Sequence, residues 1–103
     1  MAQTPEAKVK ARVKKVLDHL GAYYAMPATG GYGRSGVPDF LVCYQGMFIG
    51  LECKAGGNQA TELQKKNLSD IRSAGGMAYV VNENNISTLE ELLTNEPRTE
   101  DYA

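Results

Sequence analysis

The chain has 103 residues, 43% of them hydrophobic, and a formal net charge of −1. That length supports one domain of about two packed layers, and no window approaches the ~18 consecutive apolar residues of a membrane span. The opening MAQTPEAKVKAR has no apolar h-region, and two cysteines without a leader are expected to be reduced thiols, so a cytoplasmic protein is expected. Charge is uneven along the chain. Residues 1–72 carry ten basic and six acidic residues, +4, whereas residues 73–103 carry one and six, −5. A basic body with an acidic end suits a nucleic-acid partner, although an unevenly charged solvated surface accounts for the same numbers.

Thr4-Pro5 reads as an N-cap followed by proline at the first helical position. Val9, Val13, Val16, Leu17 and Leu20 then recur at helical spacing until Gly21. Glu6 falls on this apolar arc, and the other face carries Lys8, Lys10, Arg12, Lys14 and Lys15. Ala22–Met26 is expected to form a short strand, and a glycine-rich loop runs to Gly36. Asp39–Tyr44 and Met47–Lys54 follow as strands separated by Gln45-Gly46, each apolar on both faces and so expected to be central and covered on both sides. Thr61-Glu62-Leu63-Gln64 matches a capping box opening a helix to about Ala74. Met77–Val81 reads as a buried strand, and Ser87-Thr88-Leu89-Glu90 as a second capping box opening a short helix to about Thr94. The expected order is α-β-β-β-α-β-α, an α/β fold with a mixed sheet flanked by helices. Residues 1–96 form one expected domain and 97–103 a loose tail.

The hairpin carries the chemistry. With Gln45-Gly46 as its loop, Phe40 faces Leu51, Val42 faces Ile49, Tyr44 faces Met47, and Asp39 falls opposite Glu52. Glu52 and Lys54 share a face by strand alternation. Two opposed carboxylates destabilise a covered sheet unless a positive charge compensates. Lys54 supplies one such charge, and a divalent cation held by both carboxylates, a backbone carbonyl and waters would supply the rest. Glu6 and Gln64 lie on the inward faces of their helices, so five polar groups (Glu6, Asp39, Glu52, Lys54, Gln64) are expected in one region. Each has a plainer reading alone. Glu6 complements a helix dipole, Gln64 completes a capping box, Asp39 is a strand-entry turn residue, and Glu52 and Lys54 form an ion pair.

Other signals carry less. Gly31-Tyr32-Gly33-Arg34-Ser35-Gly36 spells a dinucleotide loop, but a proline and a strand follow it where that motif needs a helix. No nucleotide cofactor is therefore expected. Cys43 and Cys53 fall on opposite faces of the hairpin, which argues against a disulfide. His19 is the only histidine, too few for a histidine-based zinc site.

Arg34-Ser35-Gly36-Val37-Pro38-Asp39, a 12-residue gap, Glu52-Cys53-Lys54 and then Gln64 resemble the virus-type replication-repair nuclease (VRR-NUC) domain of the PD-(D/E)XK superfamily. The small stand-alone phage and prophage members are closest in size, and the likeness runs from residue 5 to about 82. It implies a restriction-endonuclease-like α-β-β-β-α-β core and Mg²⁺- or Mn²⁺-dependent hydrolysis of DNA, branched as a four-way junction or flap, by a homodimer. A bacterial cytoplasm would be its location. It implies Asp39, Glu52 and the Cys53 backbone carbonyl as metal ligands, Glu6 reaching the ion through water, Lys54 beside the attacking water, and Gln64 in support. Some relatives carry tyrosine four residues after that glutamine; Leu68 stands there in this chain. Lys8, Lys10, Lys14, Lys15, Lys65, Lys66, Arg34, Ser35 and Gly36 are the expected DNA contacts, with Tyr32 at the loop tip either a stacking residue or an ordinary exposed tyrosine. Gly36 is expected where a side chain would crowd the metal or the scissile phosphate. A non-catalytic branched-DNA-binding module on the same fold is the alternative.

Overall fold

A computed structural model describes residues 3–28 and 33–95. The first helix, α1 (Pro5–Leu20), is capped by the Thr4 hydroxyl, which accepts from Ala7 N–H, and closes at Gly21 in the left-handed region (φ 72°). The strands are β1 (Tyr23–Ala25), β2 (Phe40–Tyr44), β3 (Met47–Cys53) and β4 (Met77–Val81), with helix α2 (Glu62–Ser73) between β3 and β4. A 3₁₀ turn (Ile86–Thr88) leads into α3 (Leu89–Asn95).

The sheet order is β1-β2-β3-β4, with β1, β2 and β3 antiparallel and β4 parallel to β3. The expected register holds: Phe40 faces Leu51, Val42 faces Ile49 and Tyr44 faces Met47. Gln45 (φ 49°) and Gly46 (φ 81°) are both left-handed. That is the type I′ geometry whose twist matches the flanking strands, and it fixes the pairing.

Val9, Val13 and Leu17 of α1 bury against Phe40, Val42, Ile49, Leu51 and Cys53, and Leu89 and Leu93 of α3 complete the same core. On the opposite face α2 covers β3 and β4. Ile49 through Cys53 are buried, but Cys43 is exposed and Leu41 only half-buried. The expectation that both hairpin strands are covered on both sides therefore holds for residues 49–53 and fails for the start of β3 and for β2, because α2 is seated over the parallel pair.

Two further expectations are corrected. The helix after β4 does not open at Ser87, which lies inside the 3₁₀ turn. The Asn82 side chain accepts from Asn84 and Asn85 N–H (2.9 and 3.1 Å) and turns the chain earlier. Gly36 is shaped by α2 and not by room for a metal. A Cβ there would stand 2.7 Å from Leu63 Cγ, 2.8 Å from Asn67 Nδ2 and 3.0 Å from Leu63 O, on a backbone at φ 79°. Gly36→Ala is accordingly expected to cost about 2 kcal/mol through strain and overpacking. A urea melt indistinguishable from the parent would contradict this packing.

Candidate active site

The beginning of β2, the end of β3 and the first turns of α1 meet at one end of the sheet. Asp39 stands just before the ladder, and its Oδ2 accepts from Cys53 N–H at 2.7 Å. The short acid thus takes the place of a backbone acceptor and is held against the strand that carries Glu52. Lys54 continues the parallel pairing, donating its backbone N–H to Val81 O at 2.9 Å. Its Nζ lies 3.7 Å from Glu52 Oε2.

Glu52 is the most constrained member. It is 2% exposed, and its Oε1 is buried with no hydrogen-bond partner among the described residues. An orphaned carboxylate oxygen is costly inside a protein and calls for a cation or donor. Burial pushes the Glu52 carboxyl up to about 7; the negative charge of Asp39 adds to this and Lys54 opposes it, with Glu6 contributing in the same sense as Asp39.

Lys10 is the member that sequence reasoning misplaced. It was expected on the outer basic face, yet its Nζ lies 3.5 Å from Asp39 Oδ1 and 3.7 Å from Glu6 Oε2. The available signal was its spacing. Lys10 is four residues after Glu6, so the two stand one turn apart on one helix face. Burial pulls its ammonium down, but Asp39 and then Glu6 outweigh burial and leave its pKa above the ordinary value. With every group ionised, three acids and two lysines leave the cluster at −1.

The Cys53 side chain faces the core, fully buried. Burial, reinforced by Asp39 and Glu52, pushes its thiol up to about 12. It stays protonated near neutrality and offers the site only its backbone. Both cysteines are free, Cys43 exposed and Cys53 buried.

Gln64 is half-buried, and its amide oxygen accepts from Thr61 N–H at 2.8 Å while Thr61 Oγ1 accepts from Gln64 N–H at 3.2 Å. The capping box therefore engages its oxygen, and no hydrogen bond among the described residues joins Gln64 to the carboxylates. Asn67, which the sequence did not single out, is 5% exposed and donates to Ser35 O (3.0 Å) and Leu63 O (2.9 Å). It ties the segment before Pro38-Asp39 to α2. A lone asparagine beside Leu68 gave no sign of this, because its acceptor is a loop carbonyl distant in sequence.

The expected DNA contacts lie on the surface. Arg34 pairs with Asp70 at 2.6 Å, Lys66 with the same carboxylate at 2.9 Å, and Lys65 with Glu62 at 3.4 Å. Lys8 and Ser35 are exposed. Tyr32 and the 97–103 tail lie outside the described residues.

Among the described residues there is no group of three or more His, Cys, Asp or Glu side chains placed to hold a metal ion. A cation here would draw on two carboxylates and take its remaining oxygens from backbone and water, a donor set that suits Mg²⁺. The residues fit such an ion, since Glu52 offers a buried unpartnered oxygen and the cluster is one negative charge in excess.

No protein-family model matches the chain, and no curated protein matches it. A solved structure described as "VRR_NUC domain" aligns with a TM-score of 0.72 at 22% identity, covering 92% of this chain and 100% of that one. The chain thus shares the fold of that VRR_NUC domain structure. Among the described residues no helix is long and apolar enough to cross a membrane.

Proposed function

We infer that the chain is a divalent-metal-dependent DNA endonuclease that hydrolyses phosphodiester bonds. The observation that carries this reading is the buried, unpartnered Glu52 Oε1 beside Asp39 and Lys54. A merely structural ion pair has no need of a second carboxylate whose charge raises the first. Asp39, Glu52 and the Cys53 carbonyl would hold the ion, with Glu6 reaching it through water. The ion supplies Lewis acidity, polarising a phosphoryl oxygen and easing deprotonation of water.

The chain's own groups do the remaining work. The Lys54 ammonium, 13% exposed, is fixed beside the carboxylates, where it orients the water and stabilises negative charge developing on the phosphate. Asp39 is pre-positioned by the Cys53 N–H, so little rearrangement is needed when substrate arrives. Lys10 balances Asp39 and Glu6 and limits their repulsion before a cation binds. Lys8, Lys65, Lys66, Arg34 and the Ser35-Gly36 backbone would take DNA phosphates, which makes binding steeply salt-dependent.

Selectivity for branched DNA, a four-way junction or flap, and action as a homodimer rest on the likeness of the sequence pattern to small VRR-NUC nucleases. A cleavage panel of linear, flapped and four-way substrates with Mg²⁺ or Mn²⁺ tests them. Branched substrates are expected to be cut at least about tenfold faster than linear duplex. Equal rates would remove the structure selectivity, and binding without cleavage in either metal would leave a DNA-binding module.

A further inference from the structure

Among the described residues, the face of the sheet that carries α2 is only half covered. α2 packs over β3 and β4, leaving the surface made by β1, β2 and the start of β3. The register sets Tyr23, Cys43 and Phe48 in one row across this face, and Ala25, Leu41 and Gly50 in the next, because residues level across a ladder point the same way. Tyr23 is 78% and Phe48 48% exposed. Phe48 also walls a cavity of about 410 Å³ with Pro38, Leu41 and Ile71, and Arg34 and Asp70 line it too. That volume lies in the ~300–1,000 Å³ range of small-ligand sites.

We propose that this open half-sheet binds unpaired nucleotides of the DNA, with Phe48 and Tyr23 stacking on bases and Arg34 and Lys66 taking phosphates. The proposal rests on the DNA-cleaving reading and adds a second binding surface to it.

Three observations select this occupant. The first is shape. Aromatic rings standing on an open pleated surface present flat faces, and sheet-borne aromatics stack on bases whatever the sequence. The second is charge. Arg34 and Lys66 share one carboxylate, Asp70, so positive charge is in excess beside the apolar row. Exposed pairs of this kind are weak, and a phosphate competes for them well. A second copy of the chain seated on the same face would instead have to desolvate all three charged groups. The third is continuity. Gly50 and Glu52, the next residues on this face of β3, are buried, Gly50 beneath Ile71 and Pro38, so the route from Phe48 toward the site runs over the cavity wall. Pro38, the residue before Asp39, forms the near wall of the cavity.

Fluorescence anisotropy in EDTA, where no metal supports cleavage, tests the proposal with the full chain. The probes are a blunt duplex and the same duplex carrying single-stranded tails of increasing length. For the parent, a tail is expected to tighten binding about tenfold, the order of one base stack. Phe48→Ala should lose that gain, whereas Phe48→Tyr should keep it. Binding of the blunt duplex, and its cleavage in Mg²⁺, should be unchanged in both variants. Tyr23→Ala, at a more exposed position, should lose part of the gain and serves if Phe48→Ala does not fold. A parent indifferent to tails, or a folded Phe48→Ala that keeps the gain, would overturn the proposal and leave the nuclease reading standing. A change from dimer to monomer in Phe48→Ala by light scattering would also overturn it, identifying a self-association face. A parent that binds no DNA would remove the nuclease reading itself.

Discussion

Glu52→Gln is expected to lower cleavage by at least about 10³-fold while making the metal-free protein more stable. Loss of one pre-positioned charge-stabilising group typically costs 10²–10³-fold, and here the cation would also lose one of its two carboxylates. The stability gain follows from the same burial. Glu52 raises the cluster to three acids against two lysines, and glutamine restores neutrality while nearly keeping the shape. The sign with pH is definite. The carboxyl is raised from 4.5 to about 7 in the folded protein, so the folded state binds more protons than the unfolded chain between those values. Its contribution to stability is full below about pH 4.5 and is lost as pH rises to about 7. Thermal melts in EDTA should therefore show Glu52→Gln gaining on the parent from pH 5 to pH 8, by up to a few kcal/mol. A variant less stable than the parent at pH 8 would contradict the assignment of excess negative charge.

The second large effect is stabilisation by metal. A ligand that binds only the folded state contributes about 2.7 kcal/mol at a hundredfold excess over its Kd, roughly 10 °C in the melting temperature of a domain this size. Mn²⁺ or Mg²⁺ is expected to raise the melting temperature strongly at pH 8 and little at pH 5.5, because the ion must displace the proton that burial holds on Glu52. Asp39→Asn and Glu52→Gln should each abolish most of the shift at pH 8. An equal shift at both pH values, or one that survives in both variants, would place the ion elsewhere.

The sequence made the hairpin legible because its information is local. Gln45-Gly46 sets the turn, the turn sets the pairing, and the pairing carries Phe40 to Leu51, the neighbours of Asp39 and Glu52. Helix ends were legible at Thr4, Gly21 and Thr61, where the capping residue and its partner are close in sequence. What escaped depends on where α1 and α2 settle. Lys10 belonged by periodicity to the outer face, yet its long side chain reaches back to Asp39 once the first turn of α1 lies over the end of the sheet. Gly36 looked like a concession to a ligand until Leu63 and Asn67 were seen to occupy the space beside it. The open half of the sheet was hidden for the same reason. Leu41 and Cys43 read as interior residues, and only the seating of α2 over β3 and β4 leaves them outside.

Lys54→Ala tests the central claim most directly, since Lys54 neither anchors the sheet through its side chain nor is a metal ligand in this account. The measurement is the cleavage rate of a four-way junction in Mg²⁺ by the purified parent and variant, with circular dichroism and junction binding recorded on the same samples. Cleavage is expected to fall by at least about 10²-fold, with the fold and junction binding retained. A folded Lys54→Ala protein that cleaves at the parental rate would contradict it.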